Sequence, residues 1–388
     1  MDLYPQKWLI RRGIFKVKIV ADDKIPFLHG VFEQAGCDVV YLPGRKTDKY
    51  VLADADAVIT RTRTKCNADM LTGSKVKIAA TATIGLDHFN TSELDELGIS
   101  WCNAPGCNSS SVAQYITSVI TAFGDYAGKT IGIIGAGNVG SKVASRAAAL
   151  GMNVLINDPP RAEKEGTDGF ADLSEIMEKA DFITMHVPLE YKGKYPTYHM
   201  CGNEFFSALR KRPVFINSSR GEIVDTAALK EALKNKLISK AAIDVWENEP
   251  EIDLELLEMA EIATPHIAGY SLDGKANGTI ACVRAVAEKL GLDGLKNWDC
   301  KDIVPFPEKG VEIIIPDGIS GVEAVKYAVQ YTYSAEYDTA CLKNEPHRFE
   351  ELRGNYYIRR EFPVFTVVNA DSGTTEILKQ LGFVIRNK

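Results

Sequence analysis

Three ionisable side chains stand out for where they fall. INSSRGEIVD, residues 216–225, places Arg220 directly after a β-branched run. AIDVWENEP, residues 242–250, places Glu249 just past the next run, and ATPHIAGY, residues 263–270, places His266 after a third. An arginine can clamp a carboxylate through two parallel hydrogen bonds and polarise the oxygen on the adjoining carbon. A histidine can take the proton of a hydroxyl on that carbon. A glutamate can hold the imidazole in one tautomer. Taken singly, such residues more often make surface ion pairs or structural hydrogen bonds. In this order, at three successive strand ends, they point to proton transfer on a 2-hydroxy acid.

That chemistry needs a hydride acceptor, and a second motif offers a place for one. TIGIIGAGNVG, residues 130–140, is an apolar run ending in Gly135, Gly137 and Gly140. A helical stretch, Val139–Leu150, follows, and the next strand ends in Asp158. A lone GxGxxG is a weak signal; in this strand–loop–helix–strand–acid context it reads as a dinucleotide site. Gly135 permits the tight turn, Gly137 lets the backbone approach a pyrophosphate at the helix N-terminus, and Gly140 lets helix and strand pack closely. Asp158 can accept from both adenosine ribose hydroxyls and would repel a 2′-phosphate, which favours NAD over NADP; Arg161 is the counterweight. Asp225 and Asp244 read as structural or cofactor-side, with Asp244 able to face the nicotinamide amide.

Two earlier segments suit an anion. TATIGLDH, residues 81–88, follows a strand, and Gly85 allows its backbone NH groups to form an anion nest. TRTRTKCN, residues 60–67, sets Arg61, Arg63 and Lys65 on alternate positions, which suits a phosphate and is equally a solvated edge.

Parallel strands alternating with helices would position these groups. The pattern predicts strands at Val17–Val20, Asp38–Leu42, Ala57–Thr60 and Lys77–Ala82, with a helix over Pro26–Gln34. It restarts with Thr130–Ile134, Asn153–Asn157, Phe182–His186, Val214–Asn217, Ala241–Val245 and Ile262–Thr264. Helices are expected at Leu173–Ala180, Thr226–Lys234 and Lys275–Leu290, the last returning the chain to the first domain. After Gly291 prolines punctuate a loop-rich stretch, and the chain ends in a strand–helix–strand pattern. The expected fold is α/β with two doubly wound parallel-sheet domains: a flavodoxin-like substrate domain (17–108 and 270–294) and a Rossmann NAD domain (109–269). A small α+β domain over 295–388 completes it.

Composition narrows the class further. The net charge of −7 argues against a nucleic-acid partner. No apolar run is long enough for a membrane span, and the N-terminus lacks the apolar core of a secretory signal. Eight cysteines without a CxxC pair read as free thiols of a reducing cytoplasm, and the six histidines lack metal-ligand spacing.

GAGNVG, NSSRGEIVD, DVWENEP and TPHIAG resemble, in order, the signatures of the D-2-hydroxyacid dehydrogenases. The resemblance implies NAD in a two-domain subunit, with Arg220, Glu249 and His266 as catalytic residues. RTRTKCN, TATIGLDHFN, APGCNSSSVAQY, NDPPRA, HIAGYSLDGKANGT and the FEELRGNYYIRREF tail are similar to the branch that oxidises 4-phospho-D-erythronate in vitamin B6 synthesis. That likeness implies substrate contacts at Thr62, Thr83 and Tyr270, with the phosphate meeting Tyr270 and one of Arg61, Arg63 or Lys65. It implies NAD contacts at Asp158, Val187, Asp244 and Gly269, with Asn138 and Val139 at the pyrophosphate. It implies a homodimer built on the C-terminal domain. The first sixteen residues are an addition to that pattern. Two other readings stay open: a relative acting on 3-phosphoglycerate or hydroxypyruvate, and a non-catalytic NAD-sensing scaffold.

Overall fold

Val20, Val58 and Ala79 sit on one face of a parallel sheet while Ile19, Ala21, Ile59 and Ala80 sit on the other, the two-residue alternation of a sheet buried on both sides. In the computed structural model, which describes residues 16–386, this sheet contains β1 (Lys18–Asp22), β2 (Asp38–Leu42), β3 (Ala57–Thr60), β4 (Ile78–Thr81) and β5 (Ser100–Cys102). Its order is β2-β1-β3-β4-β5, the flavodoxin-like arrangement. The reading of the N-terminal segment falls, Lys16 aside, outside the described residues.

The expected helix over Pro26–Gln34 is a single turn, Val31–Gln34. Phe27 and Gly30 both take positive φ and break the segment before it. Strand β5 escaped the sequence reading because it has three residues, all half-buried.

A second parallel sheet holds β6 (Thr130–Ile134), β7 (Asn153–Asn157), β8 (Phe182–Met185), β9 (Val214–Asn217), β10 (Lys240–Ile243) and β11 (Ile262–Ala263). Six strands were expected, but their order, β7-β6-β8-β9-β10-β11, has one strand beyond β6 rather than the usual two. Where the missing strand would pair, the Ala171 amide donates to the Ile156 carbonyl at 2.7 Å and no ladder forms. The strand order still reverses at β6, which puts a crevice at its carboxyl end.

The chain divides into two compact units. Among the described residues the first is 16–105 with 275–302; the second is 106–274 with 303–386. The helix Leu272–Leu290 crosses that boundary, and its Val283 and Val286 close one face of the first sheet.

The C-terminal residues form a small parallel sheet, β12 (Glu312–Ile314), β13 (Thr366–Val368) and β14 (Val384–Arg386). Their apolar side chains do not make an isolated core. Ile313, Val325, Phe362 and Phe365 join Ile131, Ile133, Ile216 and the helix Ser109–Phe123, while Leu342 and Phe349 join the opposite face of the six-stranded sheet. The helix Ser109–Phe123 is buried almost all round, so its polar side chains need partners. Gln114 donates to Thr332 and to the Arg360 carbonyl, and its Oε1 accepts from the buried Arg359.

Asp338 makes this region pH-sensitive. Burial pushes its carboxyl up from 3.8 to about 6, although the Tyr356 hydroxyl donates to it at 2.7 Å. A carboxyl raised on folding stabilises fully below its unfolded value, and that stability is lost as pH rises through the folded one. The loss is on the order of 3 kcal/mol. Asp338→Asn keeps an acceptor for Tyr356 and should flatten the fall in melting temperature between pH 3.8 and about 6. Parallel wild-type and variant curves in thermal melts across that range would refute this.

Candidate active site

Arg220, Glu249 and His266 follow β9, β10 and β11, three adjacent strands, at their carboxyl ends. Backbone contacts join their loops. A Cβ on Gly221 would lie 2.0 Å from the Trp246 carbonyl carbon, so only glycine lets the turn after β9 touch the turn after β10. The Trp246 indole donates to the Thr264 carbonyl at 2.9 Å, tying the Glu249 loop to the end of β11. Arg220 is half-buried, with its own carbonyl held by Asn217 at 2.9 Å.

His266 and Glu249 form a hydrogen-bonded pair, Nδ1 to Oε2, at 2.8 Å. The other Glu249 oxygen accepts from the Trp246 amide at 3.0 Å. Burial alone would raise the Glu249 carboxyl, but the His266 hydrogen bond and charge, with Arg353 adding to them, hold it below its ordinary 4.5. Glu249 therefore stays ionised and fixes the tautomer with Nδ1 protonated, which leaves Nε2 as the ring nitrogen able to accept a proton. That nitrogen belongs to a side chain still a third exposed.

His266 has a φ of 55°, left-handed and costly for a residue with a side chain. Asp244 over-determines that turn. Its carbonyl accepts from the His266 amide at 2.7 Å. Its buried carboxylate accepts from the amides of Ile267 and Ala268 and from the Thr264 hydroxyl. Burial raises this carboxyl above its ordinary value. Asp244 thus positions the histidine loop, a role the sequence left beside a cofactor-facing one. The guanidinium of Arg359, fully buried over the Tyr333 ring at 4.0 Å, also donates to the Ile267 carbonyl.

The glycine loop lies at the end of β6. Gly135 has φ 90°, and a Cβ there would sit 2.7 Å from the His186 carbonyl. A Cβ on Gly140 would come within 2.0 Å of the Gly135 oxygen. Gly137 is different: nothing lies within 4 Å of its missing Cβ. It precedes the helix Asn138–Ala149, whose first turn has no side-chain cap. Open space over Gly137 and uncapped amides at Asn138 and Val139 fit a pyrophosphate. Asp158 follows β7, caps the next helix through the Arg161 amide and accepts from the Ala136 amide at 2.8 Å. Arg161 is paired with Glu165 at 2.6 Å. Val187 follows β8, and Gly269 packs so closely on Asn108 that a Cβ would meet its amide at 2.2 Å.

These glycines give opposite expectations. Gly140→Ala should destabilise the fold by about 3 kcal/mol or more, because the clash is with backbone. Gly137→Ala should melt within about 0.5 kcal/mol of wild type yet bind NAD at least about tenfold more weakly. Thermal melts and NADH fluorescence titration check both, and undiminished affinity in Gly137→Ala would remove the pyrophosphate from that backbone.

In the first unit the Thr83–Gly85 turn is fixed by its carbonyls. Those of Thr83, Ile84 and Gly85 accept from the Ala104 amide, Asn103 Nδ2 and Thr83 Oγ1 at 2.9, 2.7 and 3.1 Å. Of the basic cluster, Arg61 is half-buried while Arg63 and Lys65 are exposed, as is Thr62. Burial and the nearby Arg61 charge lower the Lys275 ammonium to about 8. Sequence reasoning passed over Lys275 because it reads as one helical residue among many. It passed over Arg353 for a similar reason: its guanidinium faces the Tyr270 ring at 5.8 Å from a helix 83 positions later.

Residues 114–268 match the family model described as D-isomer specific 2-hydroxyacid dehydrogenase, NAD binding domain. The chain is 46% identical over 357 residues to the erythronate-4-phosphate dehydrogenase of Bacteroides fragilis, covering 91% of this chain and 99% of that one. The enzyme of the same name from Proteus mirabilis is 37% identical over 380 residues, covering 96% and 100%. Among solved structures, D-lactate dehydrogenase from Aquifex aeolicus, complexed with NAD and lactic acid, superposes with a TM-score of 0.59 at 25% identity, over 72% of this chain and 97% of that one. With a glycine loop and a hydrogen-bonded histidine–glutamate pair in place, these likenesses decide the family: the chain belongs to the erythronate-4-phosphate dehydrogenases, NAD-dependent enzymes of the D-2-hydroxyacid dehydrogenase family.

Proposed function

We propose that the chain oxidises 4-phospho-D-erythronate at C2 to (R)-3-hydroxy-2-oxo-4-phosphobutanoate, in the synthesis of pyridoxal 5′-phosphate. The observation that carries this reading is the 2.8 Å His266–Glu249 bond at the strand ends that also bear Arg220. Bound NAD supplies the hydride acceptor. Arg220 holds the substrate carboxylate through its planar fork and polarises the C2 oxygen. His266 Nε2 takes the C2 hydroxyl proton, and Glu249 stabilises the imidazolium that results. Asn138, Val139 and Gly137 would hold the pyrophosphate and Asp158 the ribose, with Val187, Asp244 and Gly269 on the nicotinamide side. Thr62, Thr83, Arg61 and Tyr270 are the remaining substrate contacts of this reading.

A cytoplasmic homodimer joined through residues 295–388 completes the proposal. Eight free cysteines support a reducing compartment. The test is NADH formation from NAD with 4-phosphoerythronate, beside 3-phosphoglycerate and unphosphorylated erythronate, with a 2-oxoacid added to reoxidise bound NADH. Strong preference for 4-phosphoerythronate is expected. Preference for 3-phosphoglycerate would move the chain to another substrate, and NAD binding without turnover would make it a scaffold.

A further inference from the structure

Arg353 has no place in the mechanism above, yet it is built into the same neighbourhood. It ends the short helix Phe349–Gly354, in the part of the chain assigned above to assembly. Its guanidinium lies between two rings, 5.7 Å from the centroid of Phe349 and 5.8 Å from that of Tyr270. Tyr270 stands four positions beyond His266 and is steadied from behind by Tyr356, edge-on at 5.9 Å. Tyr356 is anchored in turn by its hydrogen bond to Asp338.

The hydrogen bonding of Arg353 is incomplete. Nη1 donates to Glu350 at 3.1 Å. Nε is buried with no acceptor. A buried donor without an acceptor is costly, and such groups persist where a ligand completes them. Burial disfavours the charge of Arg353, but Tyr270, Glu249 and Glu350 more than offset this and keep it a firm cation. Nη1 is given to Glu350 and a side-chain hydrogen bond ties the guanidinium to Tyr270, so the donor left for an anion to complete is the buried Nε.

The proposed substrate has two anionic ends. Arg220 takes the carboxylate, next to the reacting carbon, which leaves a terminal phosphate monoester to be neutralised. We propose that Arg353 binds that phosphate, so that the C-terminal segment forms part of the active site and sets the preference for phosphorylated over unphosphorylated hydroxyacids. This rests on the substrate reading given above. It gives Tyr270 a second purpose: its ring, 5.8 Å from the guanidinium, helps to hold that charge where it acts on Glu249.

The experiment compares wild type, Arg353→Gln and Arg353→Lys with NAD and either 4-phosphoerythronate or unphosphorylated erythronate. NADH binding by fluorescence reports on folding. If wild type does not prefer the phosphorylated acid, the substrate reading fails and this proposal goes with it. With that preference established, the ratio of the two kcat/KM values should fall about 10- to 100-fold in Arg353→Gln, chiefly through KM. Arg353→Lys, which keeps the charge but loses the fork, should fall in between. A ratio that stays at the wild-type value while both substrates slow alike would overturn the proposal and leave Arg353 as a support for Glu249. Should Arg353→Gln fail to bind NADH, Arg353→Lys decides by the same ratio.

Discussion

His266→Ala is expected to lower kcat about 10³-fold, while NAD still binds as in wild type. The argument rests on direction. Nδ1 is committed to Glu249 at 2.8 Å, so Nε2 is the ring nitrogen left to receive a proton. His186, just after β8, is not an alternative base, since desolvation drives it down to about 3. The fold should survive, because the His266 side chain is a third exposed and its loop is held by Asp244 through backbone amides. A pH signature should accompany the loss. Glu249 is depressed below 4.5 on folding, so its contribution to stability is present above 4.5 and lost as pH falls through the folded value. The stability gap between wild type and His266→Ala should therefore be open at neutral pH and narrow below 4.5. Steady-state kinetics and melts on either side of that pH measure both effects. Near-normal turnover would remove His266 as the base.

Arg220→Ala should cut kcat/KM by about 10²- to 10³-fold, the loss expected when one partner of a desolvated charge pair is truncated. The clamp is positioned before substrate arrives: Asn217 holds the Arg220 carbonyl, and Gly221 seats the turn against Trp246. Arg220→Lys should recover only a small part, since an ammonium is a point charge and cannot offer two parallel donors. NAD affinity should stay at the wild-type value, because Arg220 follows β9 and the glycine loop follows β6. If Arg220→Lys were fully active, charge alone would suffice and the fork would play no part.

Most of the scaffold was legible from periodicity. The runs at Asp38–Leu42, Ala57–Thr60, Thr130–Ile134, Asn153–Asn157 and Val214–Asn217 are strands with the expected bounds. They are short, apolar and β-branched, and each is bounded by turn residues. The failures are physical too. Strand β5 is too short and too exposed to show a period. The turn at Phe27–Gly30 is set by local φ values that a helical pattern conceals. The six strands read for the second sheet are all present, but that only one of them lies beyond β6 is a matter of edge pairing rather than side-chain pattern.

The site divides in the same way. Arg220, Glu249, His266, the three glycines and Asp158 could be named from sequence because each sits directly after a recognisable strand, and in a parallel sheet a strand's carboxyl end is where ligands gather. Their residue types and order determined the reaction class. Tertiary structure alone decided what surrounds them. It made Gly221 obligatory through a 2.0 Å approach to a backbone 25 positions away. It committed the Asp244 carboxylate to the histidine loop. It set Arg353 against Tyr270 and Arg359 against the Ile267 carbonyl. Local chemistry is written in neighbouring letters, whereas the partner of a buried charge is chosen by packing between segments far apart in the chain. That choice leaves no period, motif or spacing in the sequence to read.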